Sequence, residues 1–391
     1  MTNLSTDVAI IGGGMVGAAL ALGLAQNGFE VALIEQQMPA VFNPELPPDV
    51  RVSAVSAASI ALLNSLGVWQ SVTAMRSHPW CELETWEWEN ARVLFSAREL
   101  GVPVLGHMVE NPVLQRALWD AVSSHPAVAC FCPATLSALS VVDDGQQLVL
   151  SSGEVINARL VVGADGAHSK VREMAGIGIH GWAYDQSCML ITVKRPQESG
   201  ERTWQHFTPD GPRAWLPLMG NYGSVVWYDK PARIQALNKM PLSQLASEIR
   251  AYFPARIGEP EPVARGAFPL VRRHAWRYVK QGVALIGDAA HTIHPLAGQG
   301  VNLGYRDVDA LLDVLINARS YGEDWASQKV LLRYQARRYP DNVLMQTGMD
   351  LFYAGFSNQL GPVKLLRNLG LMAAEKAGKV KSQVLKYAIG L

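Results

Sequence analysis

DVAIIGGGMVGAALALGLAQNGFEVALIE, residues 7–35, decides how the rest of the chain is read. Val8 to Ile11 are apolar and β-prone, Ala and Leu dominate residues 18–25, and Val31 to Ile34 are again apolar, so the stretch predicts strand, tight turn, helix and strand. Gly28 predicts the helix stop, because a residue without a Cβ enters the left-handed conformation at little cost. Gly12, Gly14 and Gly17 place G-x-G-x-x-G in the turn. The first permits the turn, the second lets a pyrophosphate approach the backbone, and the third lets helix and strand pack closely. Met15 opens the helix, whose free amides and dipole attract phosphate. Glu35, ending the next strand, is placed to accept hydrogen bonds from an adenosine ribose. A dinucleotide site is therefore expected here, against the alternative of glycines that only pack tightly.

GIGIHG, residues 176–181, repeats the glycine spacing through Gly176, Gly178 and Gly181 but lacks a preceding apolar strand and a following apolar helix. It reads as a connector, which leaves one convincing fingerprint. A single fingerprint near the start of the chain suits either NAD or the ADP half of FAD.

The 391 residues exceed one typical domain. Hydrophobic residues make up 49% and charged residues 17%, which excludes a disordered chain. Lys plus Arg and Asp plus Glu number 34 each, so no global field recruits nucleic acid. Cys81, Cys130, Cys132 and Cys188 form neither a CxxC pair nor a zinc-like double knuckle, and a reduced, cytoplasmic compartment is expected. MTNLSTDVAIIGGG reads as a strand rather than a signal peptide, and no apolar run of about 18 residues predicts a spanning helix.

After a Pro-rich loop, RVSAVSAASIALLNSLG predicts a helix, residues 82–96 a half-buried strand, residues 112–122 a helix, and residues 146–165 two short strands about the turn SSGE. Residues 181–266 break into short β-like segments, ITVKRP, RTWQHF, RAWLPLM and GSVVWYD, as a separate inserted sheet would. A buried strand, VALIGDAA, then leads into a helical pattern through residue 339, and residues 340–391 read as mostly helical.

GDAAHTIHPLAGQGVNLGYRD, residues 287–307, admits three readings: a metal site on Asp288, His291 and His294, a second nucleotide loop, or a backbone cradle for a cofactor. Pro295 and Gly298 argue for turn and loop, no further Cys or His cluster completes a metal site, and no metal is expected. If FAD binds, Asp288 is placed for ribityl hydroxyls, and backbone amides at Gly298 and Gly300 face the N1 and C2-carbonyl edge of a reduced flavin. For either His, a hydrogen-bonded structural role competes with catalysis.

The N-terminal GGGMVG with Glu35, the run GADGAHSKVR at 163–172, and GDAAHTIHPLAGQGVNLG resemble, in order and spacing, the three signature motifs of the class A flavoprotein aromatic monooxygenases. Within that group RVSAVSAAS, the GP-x-x-x-LPL pattern at 211–218 and FSNQLGPVKLLRNLGL are similar to the ubiquinone-biosynthesis hydroxylases. The resemblance implies an α/β fold: an FAD-binding, Rossmann-like domain of the para-hydroxybenzoate hydroxylase type (residues 1–75, 105–180 and 267–340), an inserted mixed or antiparallel β-sheet substrate domain (76–104 and 181–266) and a helical C-terminal region (341–391). It implies FAD as cofactor, NAD(P)H as transient reductant and O2 as co-substrate, with the oxygen delivered from a flavin C4a-hydroperoxide to an electron-rich ring.

Carried over by position, Asp165, Gly166, Ser169 and Arg172 match the family's DG motif, and Asp288 its ribityl-binding Asp. Pro295 and Gly298 to Asn302, Val301 included, match the wall around the flavin ring. Arg51 matches an arginine near the cofactor, and Gln115 stands where many members have Arg. Pro295 and His294 are the candidates nearest the chemistry, although no lone general base stands out. His206, Trp215 and Tyr228 are the candidate substrate contacts, with a core role as the competing reading. The implied substrate is a polyprenylated benzoquinol; a soluble phenol and a non-catalytic flavin scaffold are the alternatives. Lys364, Arg367, Lys376, Lys379, Lys381 and Lys386 against Glu375 suggest a C-terminal face toward an anionic membrane, peripheral to the inner membrane, or toward a biosynthetic complex or a second copy.

Overall fold

The computed structural model describes residues 3–294, 298, 300–356 and 361–389. Its first sheet runs, edge to edge, Val279–Lys280, Val283–Leu285, Val155–Gly163, Asn3–Ile11, Val31–Ile34 and Val128–Phe131, and an antiparallel hairpin, Leu136–Val142 with Gly145–Leu150, branches from Val155–Gly163. The strand Asn3–Ile11 pairs in parallel with Val155–Gly163 on one side and Val31–Ile34 on the other. Chain connections leave this central strand toward both edges, so a crevice opens beyond its C-terminal end, where ligands of such sheets bind.

The helix Met15–Gln26 follows at once. It is buried through Ala18 to Ala25, between the sheet and the helices Asn111–Ser123 and Gly300–Ser320, which is why its sequence is apolar on every face. Gly12 has φ +105°, and a Cβ there would stand 2.4 Å from the Ala164 carbonyl oxygen; at Gly17 a Cβ would stand 1.9 Å from the Gly12 oxygen. No L side chain is accommodated at either place.

The second sheet runs His291–Thr292, Glu261–Ala275, Ile179–Lys194, Tyr222–Asp229, Arg213–Pro217, Arg202–His206, Glu82–Trp86 and Arg92–Ser96. The expected joints at 180/181 and 266/267 fall inside two of its strands, Ile179–Lys194 and Glu261–Ala275, which pair along most of their length. The two sheets are thus linked by continuous strands, and GIGIHG, read as a connector, begins one of them. Two helices, Pro231–Lys239 and Leu242–Tyr252, were not expected within this region. They cover one face of the sheet, with Ile234, Leu237, Leu245 and Ile249 packed on Trp215, Val225 and Trp227. The other face looks toward the first sheet.

RVSAVSAASIALLNSLG divides into the strand Val52–Ser56 and the helix Ala57–Ser65, capped by Ser56, because Val52 and Val55 pair with Gly106–Glu110 in a three-stranded sheet. Residues 82–96 form a hairpin instead of one strand. The C-terminal pattern separates into Gly300–Ser320, Gln328–Phe356, Gly361–Lys376 and Lys379–Ile389. Among the described residues no helix is long and apolar enough to cross a membrane.

Candidate active site

A cavity of about 710 Å³ lies between the crevice and the second sheet. Gly14, Met15, Arg51, Asp288, Gly298 and Gly300, with Val301, line one side; Cys188, Leu190, Ala214, Leu216, Val226 and Tyr228 line the other. A Cβ built at Gly14 meets nothing within 4 Å, and the helix behind it has no side-chain cap, so its first amides face open space. A second, longer helix, Gly300–Ser320, also starts at the cavity.

Asp288, on the turn Gly287–Ala289, lines the same cavity. Enclosure by the walls raises its pKa, an effect opposed by His291, Arg51 and Arg273. A carboxyl that opens into the cavity and, among the described residues, has no protein hydrogen-bond donor suits hydroxyl groups of a ligand. Open space at one helix start, this carboxyl, and backbone amides at the second helix start supply what the phosphates, the ribityl hydroxyls and the ring edge of FAD each need. The residues present fit that cofactor.

Other sequence-derived candidates stand behind the cavity wall. Glu35 accepts hydrogen bonds from the Gly13 amide at 2.6 Å and the Gln37 amide at 3.0 Å, and so braces the first turn. Gln115 reaches the Gly13 carbonyl at 3.5 Å. Asp165 accepts from the amides of Lys170 and Val171, capping the helix Lys170–Met174. Arg172, expected at the cofactor, is buried and donates instead to the carbonyls of Ala289 and Ala167. It ties the DG motif to the turn that carries Asp288. Asn302 accepts from the Ser56 amide and the Ser59 hydroxyl and donates to the Ala54 carbonyl, clamping helix to strand. Pro295 lies outside the described residues.

Asp288, His291 and His294 do not converge. His291 donates from Nε2 to Asp307 at 2.6 Å. His294 is buried among Tyr184, Tyr228 and Tyr353, among the described residues neither ring nitrogen has a hydrogen-bond partner, and desolvation lowers its pKa to about 4. An imidazole so hard to charge is a poor proton acceptor at neutral pH, and His294 is not among the described residues that line the cavity.

Among the substrate candidates, only Tyr228 lines the cavity. Trp215 belongs to the cluster under the two covering helices, and His206 stacks on Trp86 with centroids 5.1 Å apart. Neither borders the cavity, because successive strand residues point to opposite faces and both fall on the wrong parity.

A buried polar network around Asp307 escaped the sequence reading. Its carboxylate accepts from the Gly287 amide, His291, Arg338 and Asn342. Burial alone would raise its pKa, but His291 and Arg338 draw it down to about 2. The network continues through Tyr278 to His274 and Gln346. The Gln346 amide group donates to the carbonyls of Arg273 and Thr292, so its oxygen accepts from His274 Nδ1, and His274 Nε2 accepts from Tyr278. Arg338, Asn342 and Gln346 recur every fourth residue on one helix, a polar stripe that was available as a signal.

The sequence profile of the FAD-binding domain family matches residues 5–345. The chain belongs to this family. It is an FAD-dependent monooxygenase, and its relatives bear this out. It is 64% identical over 391 residues, all of both chains, to the 3-demethoxyubiquinol 3-hydroxylase of Escherichia coli strain K12. It is 37% identical over 385 residues to a ubiquinone hydroxylase of Rhodospirillum rubrum, covering 98% of this chain and 89% of that one. Among solved structures, p-nitrophenol 4-monooxygenase from Pseudomonas putida DLL-E4 superposes with a TM-score of 0.82, covering 100% of this chain and 99% of its own, at 18% identity. That likeness concerns the fold. The monooxygenase has the α/β architecture with a helical C-terminal region expected from the sequence.

Proposed function

We propose that this monooxygenase hydroxylates the ring of a polyprenylated benzoquinol in ubiquinone biosynthesis, at the 3-demethoxyubiquinol step. The observation that carries the reading is the cavity's division into a polar half with Asp288 and two helix starts and an apolar half of sheet-borne side chains, wide enough for a substituted ring. The 64% identity over the full length of the E. coli enzyme supports the same step.

When bound and reduced by NAD(P)H, FAD would activate O2, one atom of which goes to the ring and the other to water. The chain's own residues hold, orient and insulate. The amides around Gly14 take the phosphates; Asp288 accepts from the ribityl hydroxyls; amides at Gly300 offset negative charge on the ring edge. Asp307 fixes the turn bearing Asp288 from both sides, through the Gly287 amide and His291. Ile293, Met345 and Met349 close the cavity with apolar surface, which keeps water from the reactive oxygen. An electron-rich ring needs orientation more than a base, and the one carboxylate among the described residues lining the cavity, Asp288, is given to the ribityl hydroxyls.

The protein is proposed to work in the cytoplasm at the inner membrane surface. Leu365, Leu366, Leu369 and Met372 on the helix Gly361–Lys376 are exposed, beside outward Lys376, and Lys386 is exposed on the last helix. The basic residues are not all available for lipid: Arg367 and Lys364 face Glu87, and Lys381 bridges Glu99 and Glu375. Mass spectrometry of quinone intermediates in a deletion strain tests the step. Accumulation of 3-demethoxyubiquinol, relieved by the intact gene, is expected; unaltered ubiquinone would refute it.

A further inference from the structure

The cavity face of the second sheet is built from cross-strand rows. In one row Gln205 stands opposite Ala214, Ala214 opposite Val226, and Val226 opposite Leu190. All four line the cavity. In the adjacent row Cys188 stands opposite both Tyr228 and Phe268, which also line it. Parity puts Trp215, Val225 and Ile191 on the opposite face, under the covering helices.

Within this apolar surface Gln205 is out of character. It is 8% exposed, and among the described residues its amide has no hydrogen-bond partner. Nearby Thr203 is already engaged, its hydroxyl donating to the Trp215 carbonyl at 2.7 Å. An amide that borders a cavity and has no protein partner is left to bond whatever fills that cavity. The cavity is the direction left open. A primary amide carries an acceptor and two donors, so it complements a hydroxyl, which both donates and accepts. An ether can only accept, and a plain ring edge does neither.

We propose that Gln205 is the polar anchor of the substrate: its amide exchanges a hydrogen bond with a ring hydroxyl, fixing the rotation of the ring while Ala214, Val226 and Leu190 take its apolar substituents. This deepens the functional reading above and rests on it. Gln205 acts here as a specificity-determining residue. It moves no proton.

The test uses the FAD-loaded enzyme under argon and two probes, an alkylated phenol and its methyl ether, with binding read from perturbation of the flavin absorbance. The wild type is expected to prefer the phenol by about tenfold or more. In Gln205→Leu the phenol should weaken by about tenfold while the ether is unchanged, so that the preference falls to within about threefold. Gln205→Met is read in the same way if the leucine variant fails to hold FAD. A preference retained in both variants overturns the assignment of Gln205 alone. A wild type that binds neither probe overturns the substrate reading and the anchor with it.

Discussion

Two aspartates near the cofactor cavity have opposite environments, and opposite outcomes follow for their variants. Asp288 is open to the cavity and among the described residues takes no hydrogen bond from the protein, so Asp288→Ala should weaken FAD binding about tenfold or more while leaving the apoprotein's Tm within a degree or so of the wild type, about the margin for a surface substitution. Asp307 is fully buried and charged between His291 and Arg338, so Asp307→Asn strands those partners and should cost about 3 kcal/mol or more of stability, lowering apoprotein Tm and FAD retention together. Fluorescence titration with FAD and thermal melts of both variants separate the roles; equal Tm losses would contradict them. The buried histidines set the acid limit. Desolvation holds His274 and His294 at about 4, below the value of about 6.5 for an exposed imidazole. Between these values the unfolded chain binds more protons than the folded one, so stability falls as pH falls through that window, by roughly 2–3 kcal/mol per histidine. Asp307 is shifted in the same direction, downward, with the same effect further into acid: its contribution is complete above about 4 and is lost toward pH 2. Tm measured from pH 7.5 down to 4 should decline steadily from about 6.5; a flat profile would show that these imidazoles are solvated.

At the scale of elements, the helix Lys379–Ile389 does more than carry positive charge. Leu385 lines the cavity, Lys381 bridges Glu99 and Glu375, and the Tyr387 hydroxyl donates to Asp341, which also holds Arg338. Removing residues 361–391 therefore opens the active site as well as deleting a surface, and a truncation cannot isolate lipid binding. Leu366→Glu with Leu369→Glu is the cleaner probe, since both side chains are about half exposed or more. The pair should reduce flotation with anionic vesicles severalfold while FAD content stays the same; undiminished flotation would remove that helix from the lipid contact. Legibility also varied by element. The residue 7–35 unit was legible because strand, glycine turn and helix each carry a local signature. Pro231–Lys239 and Leu242–Tyr252 were passed over although Ile234 and Leu237, and Leu245 and Ile249, keep helical spacing, because short helices between strands offer few turns to count. Trp215 and His206 were misplaced for a different reason: alternation says which side chains share a face, but which face meets the cavity is set by helices distant in sequence.

Over the whole molecule, the two sheets share a boundary that the chain crosses on continuous strands, and the cofactor motifs and the apolar sheet face meet only there. The three motifs were readable as a set, whereas the Asp307 network and Gln205 become visible only when strands and helices far apart in sequence are assembled. The central claim is that one cavity holds both FAD and a quinol ring and delivers oxygen to that ring. It is tested most directly by supplying the holoenzyme with NAD(P)H, ¹⁸O2 and detergent-solubilised 3-demethoxyubiquinol and weighing the extracted quinone. The expected product carries one ¹⁸O atom on the ring. NAD(P)H consumption that yields only hydrogen peroxide, with the quinol recovered unchanged, would contradict it.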